Sequence, residues 1–156
     1  MSIIELKTVI RAPIERCFDL SRSVDLHIQS TSSTGERAIA GVTQGLLGLG
    51  DEVTWRARHF GVWQNLTSRM TVFDRPRHFR DSMVRGAFSR FDHDHFFSSI
   101  GEYTEMRDIF DFSSPLGPLG RIADTLVLSQ YMKRFLVERN GVIKRIAESD
   151  EWRDYL

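Results

Sequence analysis

The sequence predicts an α+β fold: a curved antiparallel sheet of about seven strands wrapped around a long C-terminal helix, with two short helices after the first strand. Three observations predict it. From Glu36 to Phe112, polar and apolar residues alternate in short runs broken by Gly, Pro and Asp, the pattern of half-buried strands joined by tight turns. From about Leu119 the apolar spacing changes to three and four, the period of a helix. Consecutive strands on short turns form a meander, and its concave face is the one large apolar surface on which the long helix can bury its stripe.

In the first strand Ile4, Leu6, Thr8 and Ile10 alternate with Glu5, Lys7, Val9 and Arg11, and Ala12-Pro13 ends it. Pro13 suits the first turn of a helix, for which Ile14, Phe18 and Leu20 supply a short apolar face. A second short helix is expected from Val24 to Gln29, then a polar turn from Ser30 to Gly35 and a strand from Glu36 to Val42. Gly45 to Gly50, with Leu46, Leu47 and Leu49 among three glycines, reads as a tight, mobile, apolar loop. Strands follow at Asp51 to Phe60, Val62 to Phe73 and Arg77 to Arg85, separated by Gly61 and by Asp74-Arg75-Pro76. Leu66, Met70 and Val72 are expected on the inner face, and Trp63, Phe73 and Phe96 on the outer face.

A three-residue turn at Gly86-Ala87-Phe88 leads to a His-rich strand, Ile100-Gly101 is the expected hairpin tip, and Glu102 to Phe112 is the last strand. Ser113 to Pro118 ends the sheet region. Leu119, Ile122 and Leu126 open the helical stripe, which continues after a slip of two through Leu128, Tyr131, Phe135, Val142 and Ile146. A helix of about 28 residues is about 42 Å long. Gly141 weakens it by roughly 1 kcal/mol against alanine and is a candidate bend.

Length and composition place residues 1–156 in a single domain. A hydrophobic fraction of 41% supports a core and excludes a disordered chain. Lys plus Arg and Asp plus Glu stand at 21 each, so the chain lacks the basic footprint of a nucleic-acid binder. The single cysteine, Cys17, allows no internal disulfide and fits a reducing compartment. No secretory segment and no long apolar span is visible, so a cytoplasmic protein without stable membrane insertion is expected.

The most informative run is Phe91-Asp-His-Asp-His-Phe-Phe97. On a strand, Phe91, His93, His95 and Phe97 share one face, and Arg90, Asp92, Asp94 and Phe96 the other. The charged set belongs in water, which leaves two histidines on the apolar face and points to a lined pocket more than a plain core. A two-residue turn at Ile100-Gly101 sets His93 opposite Asp108 and His95 opposite Met106, and a three-residue turn at Gly86 to Phe88 sets Asp81 opposite His93. The expected row is Asp81, His93, Asp108, with His95 one step along. It depends on register.

Several stretches resemble the START and birch-pollen-allergen superfamily of helix-grip proteins, often called SRPBCC, and in particular its bacterial ligand-binding and polyketide cyclase/dehydrase-like branch. They are the first strand with Ala12-Pro13, Gly50-Asp51-Glu52-Val53-Thr54-Trp55, Pro76 with Phe79 and Asp81, His93-Asp94-His95-Phe96-Phe97, and Asp108 leading to Pro115-Leu116-Gly117. The resemblance covers essentially the whole chain. It implies a hydrophobic cavity closed by the long helix, with an entrance near Gly45 to Gly50, where the three leucines replace an acidic glycine loop and suit a greasy gate.

The row then has three readings. It is a satisfied buried polar network that also orients a ligand, because a buried carboxylate without partners costs several kcal/mol. Or an acid beside His93 makes it a general base on a polyketide or other enolisable substrate, with His93, Asp108 and Asp81 catalytic. Or His93, His95 and a carboxylate bind a metal. The first is carried forward, with no metal and no cofactor. The expected activity is binding of a lipid-like, isoprenoid or polyketide-like small molecule, and a cyclase or dehydratase is the alternative. A further alternative is a lipid-transfer module touching a membrane or partner through Leu46, Leu47 and Leu49. The expected cavity is lined by Trp55, Met70, Phe79, Met83, Phe91, Phe97, Met106 and Phe110, lidded by Ile122, Leu126 and Phe135, with Asp81, His93, His95 and Asp108 as its polar end. His59 either reaches the rim or is an exposed strand end, and Trp152 and Tyr155 either pack back or form a homodimer contact.

Overall fold

The computed structural model describes residues 2–115 and 117–156, and for residues 117 and 119–124 the backbone alone. In chain order the elements are β1 (Ser2–Ile10), α1 (Ile14–Ser21), α2 (Val24–Ser30), a 3-10 turn (Ser32–Thr34), β2 (Arg37–Gly41), β3 (Glu52–His59), β4 (Val62–Asp74), β5 (His78–Arg85), β6 (Arg90–Ile100), β7 (Tyr103–Ser113), α3 (Gly117–Ala147) and a last 3-10 turn (Asp150–Asp154). The seven strands form one antiparallel sheet in the order β1-β7-β6-β5-β4-β3-β2. The meander from β2 to β7 runs hairpin by hairpin. β1 closes its far edge, pairing Ser2 with Phe112 and Ile10 with Thr104.

The core has two parts. Phe18, Leu20, Val24 and Leu26 of the short helices pack on Ile10, Val53, Met70, Phe79, Phe97 and Met106 of the sheet and on Ile143, Ile146 and Ala147 of α3. A second group joins Ile4, Phe91, Phe110, Phe112 and Leu136, with Leu66, Phe88, Leu128, Met132 and Phe135 against it. The phenylalanines of both groups meet edge to face, as at Phe18 with Phe79 (5.3 Å) and Phe88 with Phe112 (5.5 Å), an arrangement favoured by the ring quadrupoles. Cys17 is fully buried in the first group, and burial pushes its thiol up to about 11.

Three sequence expectations are corrected here. Phe73 was expected on the outer face. A bulge between Met70 and Val72 changes the phase of β4, and Phe73 turns inward onto Phe18 at 5.5 Å, as one extra residue in a strand dictates. Asp94 was expected in water. It is buried on the outer face, where Arg80 Nε and Nη2 donate at 2.8 and 2.9 Å and His78 Nε2 at 2.6 Å. The apolar Gly45 to Gly50 loop was expected to be mobile, and it is tied down by hydrogen bonds. Gly45 N–H donates to Asp25, Leu47 N–H to Arg22 O and Gly50 N–H to Met70 O, and Arg22 Nη1 donates back to Leu47 O. Leu47 is 7% exposed and belongs to the core.

α3 is 31 residues long, about 46 Å, and begins two residues earlier than expected. Its last four turns bury Leu136, Ile143, Ile146 and Ala147. The expected stripe is corrected at its N-terminal end. Leu126 is 63% exposed. The slip of two between Leu126 and Leu128 is about 200° around a helix, so Leu126 points away from the face that the set starting at Leu128 buries. Ile122 lies outside the described side chains. The helix continues through Gly141, which is exposed and whose added Cβ meets no atom within 4 Å. Gly141→Ala is therefore expected to stabilise the fold by about 0.5–1 kcal/mol, read as a rise in urea midpoint at unchanged slope. Trp152 and Tyr155 pack back on the core, with the Arg16 guanidinium 4.2 Å over the Trp152 ring.

Candidate functional site

Between the two core groups lies a cavity of about 520 Å³, walled by β3 to β7 on one side and by α3 on the other. Of the residues expected to line it, Trp55, Phe79, Asp81, Phe91, His93, His95, Phe110 and Phe135 do so. Met70, Phe97 and Met106 point the same way but lie in the core beyond it. The reason is α1, which covers that end of the sheet: the Phe18 ring meets Phe97 at 5.3 Å, and Ser21 Oγ lies 3.4 Å from the Met106 sulfur. Met83 packs against the second core group instead of the cavity, and Asp108 lies beneath the cavity floor, fully buried.

The floor is built by four elements. The β6–β7 turn is Gly101-Glu102, with Gly101 at φ +60°. A glycine is what a two-residue hairpin turn of the II′ class requires at its first central position. The expected turn at Ile100-Gly101 was one residue early, so the register moves by two: His95 pairs with Asp108 and His93 with Phe110. A shift of two keeps every side chain on its face, and Asp108 still meets both rings. Across β5 and β6, Asp81 pairs with His93 as expected.

His93 Nε2 donates to Asp108 Oδ1 at 3.1 Å, and Asn140 Nδ2 of α3 donates to Oδ2 at 2.6 Å. His95 Nδ1 lies 2.8 Å from Oδ1 but outside hydrogen-bond geometry, and Arg139 Nη1 is 3.8 Å away. On the other side of the His95 ring, Nε2 is 3.6 Å from Asp81 Oδ2. The two imidazoles lie 3.9 Å apart at a tilt of 40°, and His95 stacks on Phe79 at 4.2 Å.

These neighbours set the charges. Burial, reinforced by the neighbouring His95, pushes His93 down to about 4, so it is neutral at pH 7. Asp108 can only accept, so the proton is on Nε2 and Nδ1 is left as an acceptor. Burial opposes charge on His95 as well, but the carboxylates of Asp108 and Asp81 outweigh it and hold His95 above the ordinary imidazole value. Burial opposes the charge of Asp108 too, and the hydrogen bond from His93 together with the neighbouring His95 outweighs it, leaving the carboxyl well below the usual range.

The rim opposite the floor is polar too. His27 Nε2 meets Glu36 Oε1, and the His27 ring lies 4.2 Å from Trp55. His59 is half-buried there, with Nδ1 and the Tyr131 hydroxyl hydrogen-bonded at 2.5 Å. Beside it, Phe60 lies 4.6 Å from the Tyr131 ring in the left-handed region, φ +50°, with Gly61 at +75°. Positive φ at both central residues marks an I′ hairpin turn, and a phenylalanine there is strained.

Sequence reasoning missed Arg139 and Asn140, although the signal was present. Two polar residues stand between Leu136 and Ile143 on the buried face of α3, where only a partner on the sheet can satisfy them. Glu36 and His27 carried no such signal, whereas Tyr131 stood in the expected stripe and does line the cavity. His93, His95 and Asp108 place one donor atom each within 4.8 Å of one another, the only such group among the described residues. The Arg139 cation 3.8 Å from the shared carboxylate opposes a metal ion there.

No protein-family model matches the sequence, and no curated protein matches it. Solved structures match at the level of fold. The Zhui aromatase/cyclase of Streptomyces sp. R1128 superposes with a TM-score of 0.75 at 14% identity, over 94% of this chain and 93% of that one. A START superfamily protein of Mycobacterium smegmatis gives 0.69 at 9% identity, over 92% and 98%. Ginseng major latex-like protein 151 of Panax ginseng gives 0.67 at 14% identity, over 95% and 98%. Over nearly its whole length, this chain has the helix-grip fold shared by START- and birch-pollen-allergen-like proteins.

Proposed function

We propose that the chain binds a hydrophobic or amphipathic small molecule, lipid-like, isoprenoid or polyketide-like, in the cavity between the sheet and α3. The observation that carries this reading is the make-up of the cavity: about 520 Å³ with aromatic and aliphatic walls and one buried polar floor. Ligand pockets of roughly 300–1,000 Å³ are built in this way, the walls supplying affinity and a few polar groups orientation. Close-packed interiors leave few voids larger than a water molecule, so a space of this size between two well-packed core groups is a feature of the fold and not a packing fault.

The test is binding of a neutral apolar fluorophore, N-phenyl-1-naphthylamine, to the wild type and to Ala57→Phe. Ala57 is buried on the cavity wall beside Trp55 and His59, and a phenyl ring there fills the space. Stoichiometric binding that is lost in the variant at unchanged melting temperature is expected. Equal binding by both proteins, or none by the wild type, defeats the reading.

A second reading, a cyclase or dehydratase using His93 with Asp108, is favoured by the hydrogen bond that fixes His93 with a free Nδ1 beside the cavity. The basicity argues against it. An imidazole whose conjugate acid is pushed down to about 4 is unprotonated at pH 7 but weak, and general-base catalysis is best served by a group poised near the working pH. The membrane-touching reading is weakened, because of its three leucines Leu47 is buried, Leu46 is half-buried and only Leu49 is exposed, and a single exposed leucine is ordinary surface. No helix among the described residues is long and apolar enough to cross a membrane.

A further inference from the structure

The floor of the cavity carries two groups of opposite sign whose hydrogen-bonding capacity is not used up. Arg139 is 4% exposed and lines the cavity. Its Nη1 donates to Asn140 Oδ1 and its Nη2 to Ser21 O, both at 3.1 Å. A guanidinium has five N–H donors, and the nearest carboxylate, Asp108, is at 3.8 Å and already holds His93 and Asn140. Asp81 also lines the cavity, with its side chain 23% exposed. It meets His95 at 3.6 Å, longer than a hydrogen bond, and accepts none among the described residues. His93 Nδ1 adds a second acceptor.

The charges at this floor already balance. Asp81 and Asp108 stand against Arg139 and His95. With His95 protonated the sum is zero, and with His95 neutral it is −1, so in neither state is the floor positive. An anionic ligand group gains from Arg139 but meets two carboxylates, the buried Asp108 and the partly exposed Asp81, and an ammonium gains from Asp81 but meets Arg139. A buried charge that is not paired is costly. An uncharged group that both accepts and donates satisfies Arg139 and Asp81 together.

From this we infer that the ligand's polar end is uncharged and bifunctional, a carbonyl oxygen that accepts from Arg139 beside a hydroxyl that donates to Asp81 or His93 Nδ1. The inference rests on the cavity reading above and narrows its ligand to neutral hydroxy-carbonyl compounds on an apolar body.

The experiment is displacement of N-phenyl-1-naphthylamine from the purified protein by four matched compounds: methyl 3-hydroxydodecanoate, methyl dodecanoate, 3-hydroxydodecanoate anion and dodecylamine. The hydroxy-ester is expected to bind on the order of tenfold more tightly than each of the others. In Asp81→Leu, which removes the partly exposed acceptor and leaves Asp108 and Arg139 paired, the advantage of hydroxy-ester over plain ester is expected to shrink while the plain ester's affinity is kept. Arg139→Met, folded by its circular dichroism, is expected to lower the affinity of both esters. If the fluorophore binds but the anion or the amine competes best, or the hydroxyl adds nothing, or no compound competes, the inference falls and the cavity reading stands. If the fluorophore itself does not bind, the cavity reading falls first.

Discussion

Asp108→Ala is expected to destabilise the protein by about 3–5 kcal/mol, the usual cost of removing one partner from a buried charge pair. Asp108 is fully buried, receives hydrogen bonds from His93 and Asn140, and is the carboxylate nearest to the buried Arg139. Its removal leaves the Arg139 guanidinium without its counter-charge, and takes from His93 and Asn140 their shared acceptor, in a medium that cannot solvate them. In a domain of this size each kcal/mol moves the melting temperature by about 2–4 °C, so thermal unfolding followed by circular dichroism should show a loss on the order of 10 °C. Glu102→Ala is the control. Its ion pair with Arg11 is exposed on both sides, and it should stay within about 0.5 kcal/mol of wild type. A loss at Asp108 no larger than the control's would mean that the floor is not held by charge.

Folding stability is expected to be greatest near pH 6.5 and to fall on both sides. His93 has a folded pKa of about 4 against 6.5 unfolded. Between these values the unfolded chain binds a proton that the native state refuses. This contribution is fully present above pH 6.5 and lost by about pH 4, and it amounts to roughly 3 kcal/mol. His95 is raised, so its contribution has the opposite sign: it is fully present below pH 6.5 and lost as pH rises through its folded value. Urea midpoints between pH 4 and 9 should therefore trace a peak. His93→Gln should flatten the acid limb and His95→Gln the alkaline one. A flat profile from pH 4 to 6.5 in the wild type would show that His93 takes up its proton as readily in the native state as in the unfolded chain.

The fold was legible because its strong signals are local. Strand period, the change of period near Leu119 and the turn residues needed no tertiary information, and the seven strands and three helices are where those signals place them. What was not legible depends on one-residue events. Whether Ile100 or Gly101 opens the β6–β7 turn decides which histidine pairs with Asp108, and alternation reads the same either way. The bulge at Thr71 has no signature in a run of alternating residues, yet it sends Phe73 inward. At the site, the histidines were visible because they interrupt an apolar face on a strand. Arg139 and Asn140 were read past, because on a helix charged residues are ordinarily taken for the wet side. The cavity boundary was hidden for another reason: Met70, Phe97 and Met106 point the same way as Phe79 and Phe91, and only the docking of α1 separates core from wall.

The pairing of β1 with β7 has a consequence for how the protein comes into being on the ribosome. Residues 2–10 meet their partner strand only when residues 104–112 have emerged, and the buried end of α3 follows at Ile143 to Ala147. At translation rates of about 5–20 residues per second, the apolar face of β1 waits roughly 5–25 s without its neighbours. The hairpins from β2 to β7 can assemble as they appear, whereas the sheet edge and the closing helix are completed only after residues 104–147 have been made. The nascent domain is thus a late folder, exposing Ile4, Leu6 and Ile10 until β7 has emerged, and the cavity is enclosed only when α3 docks.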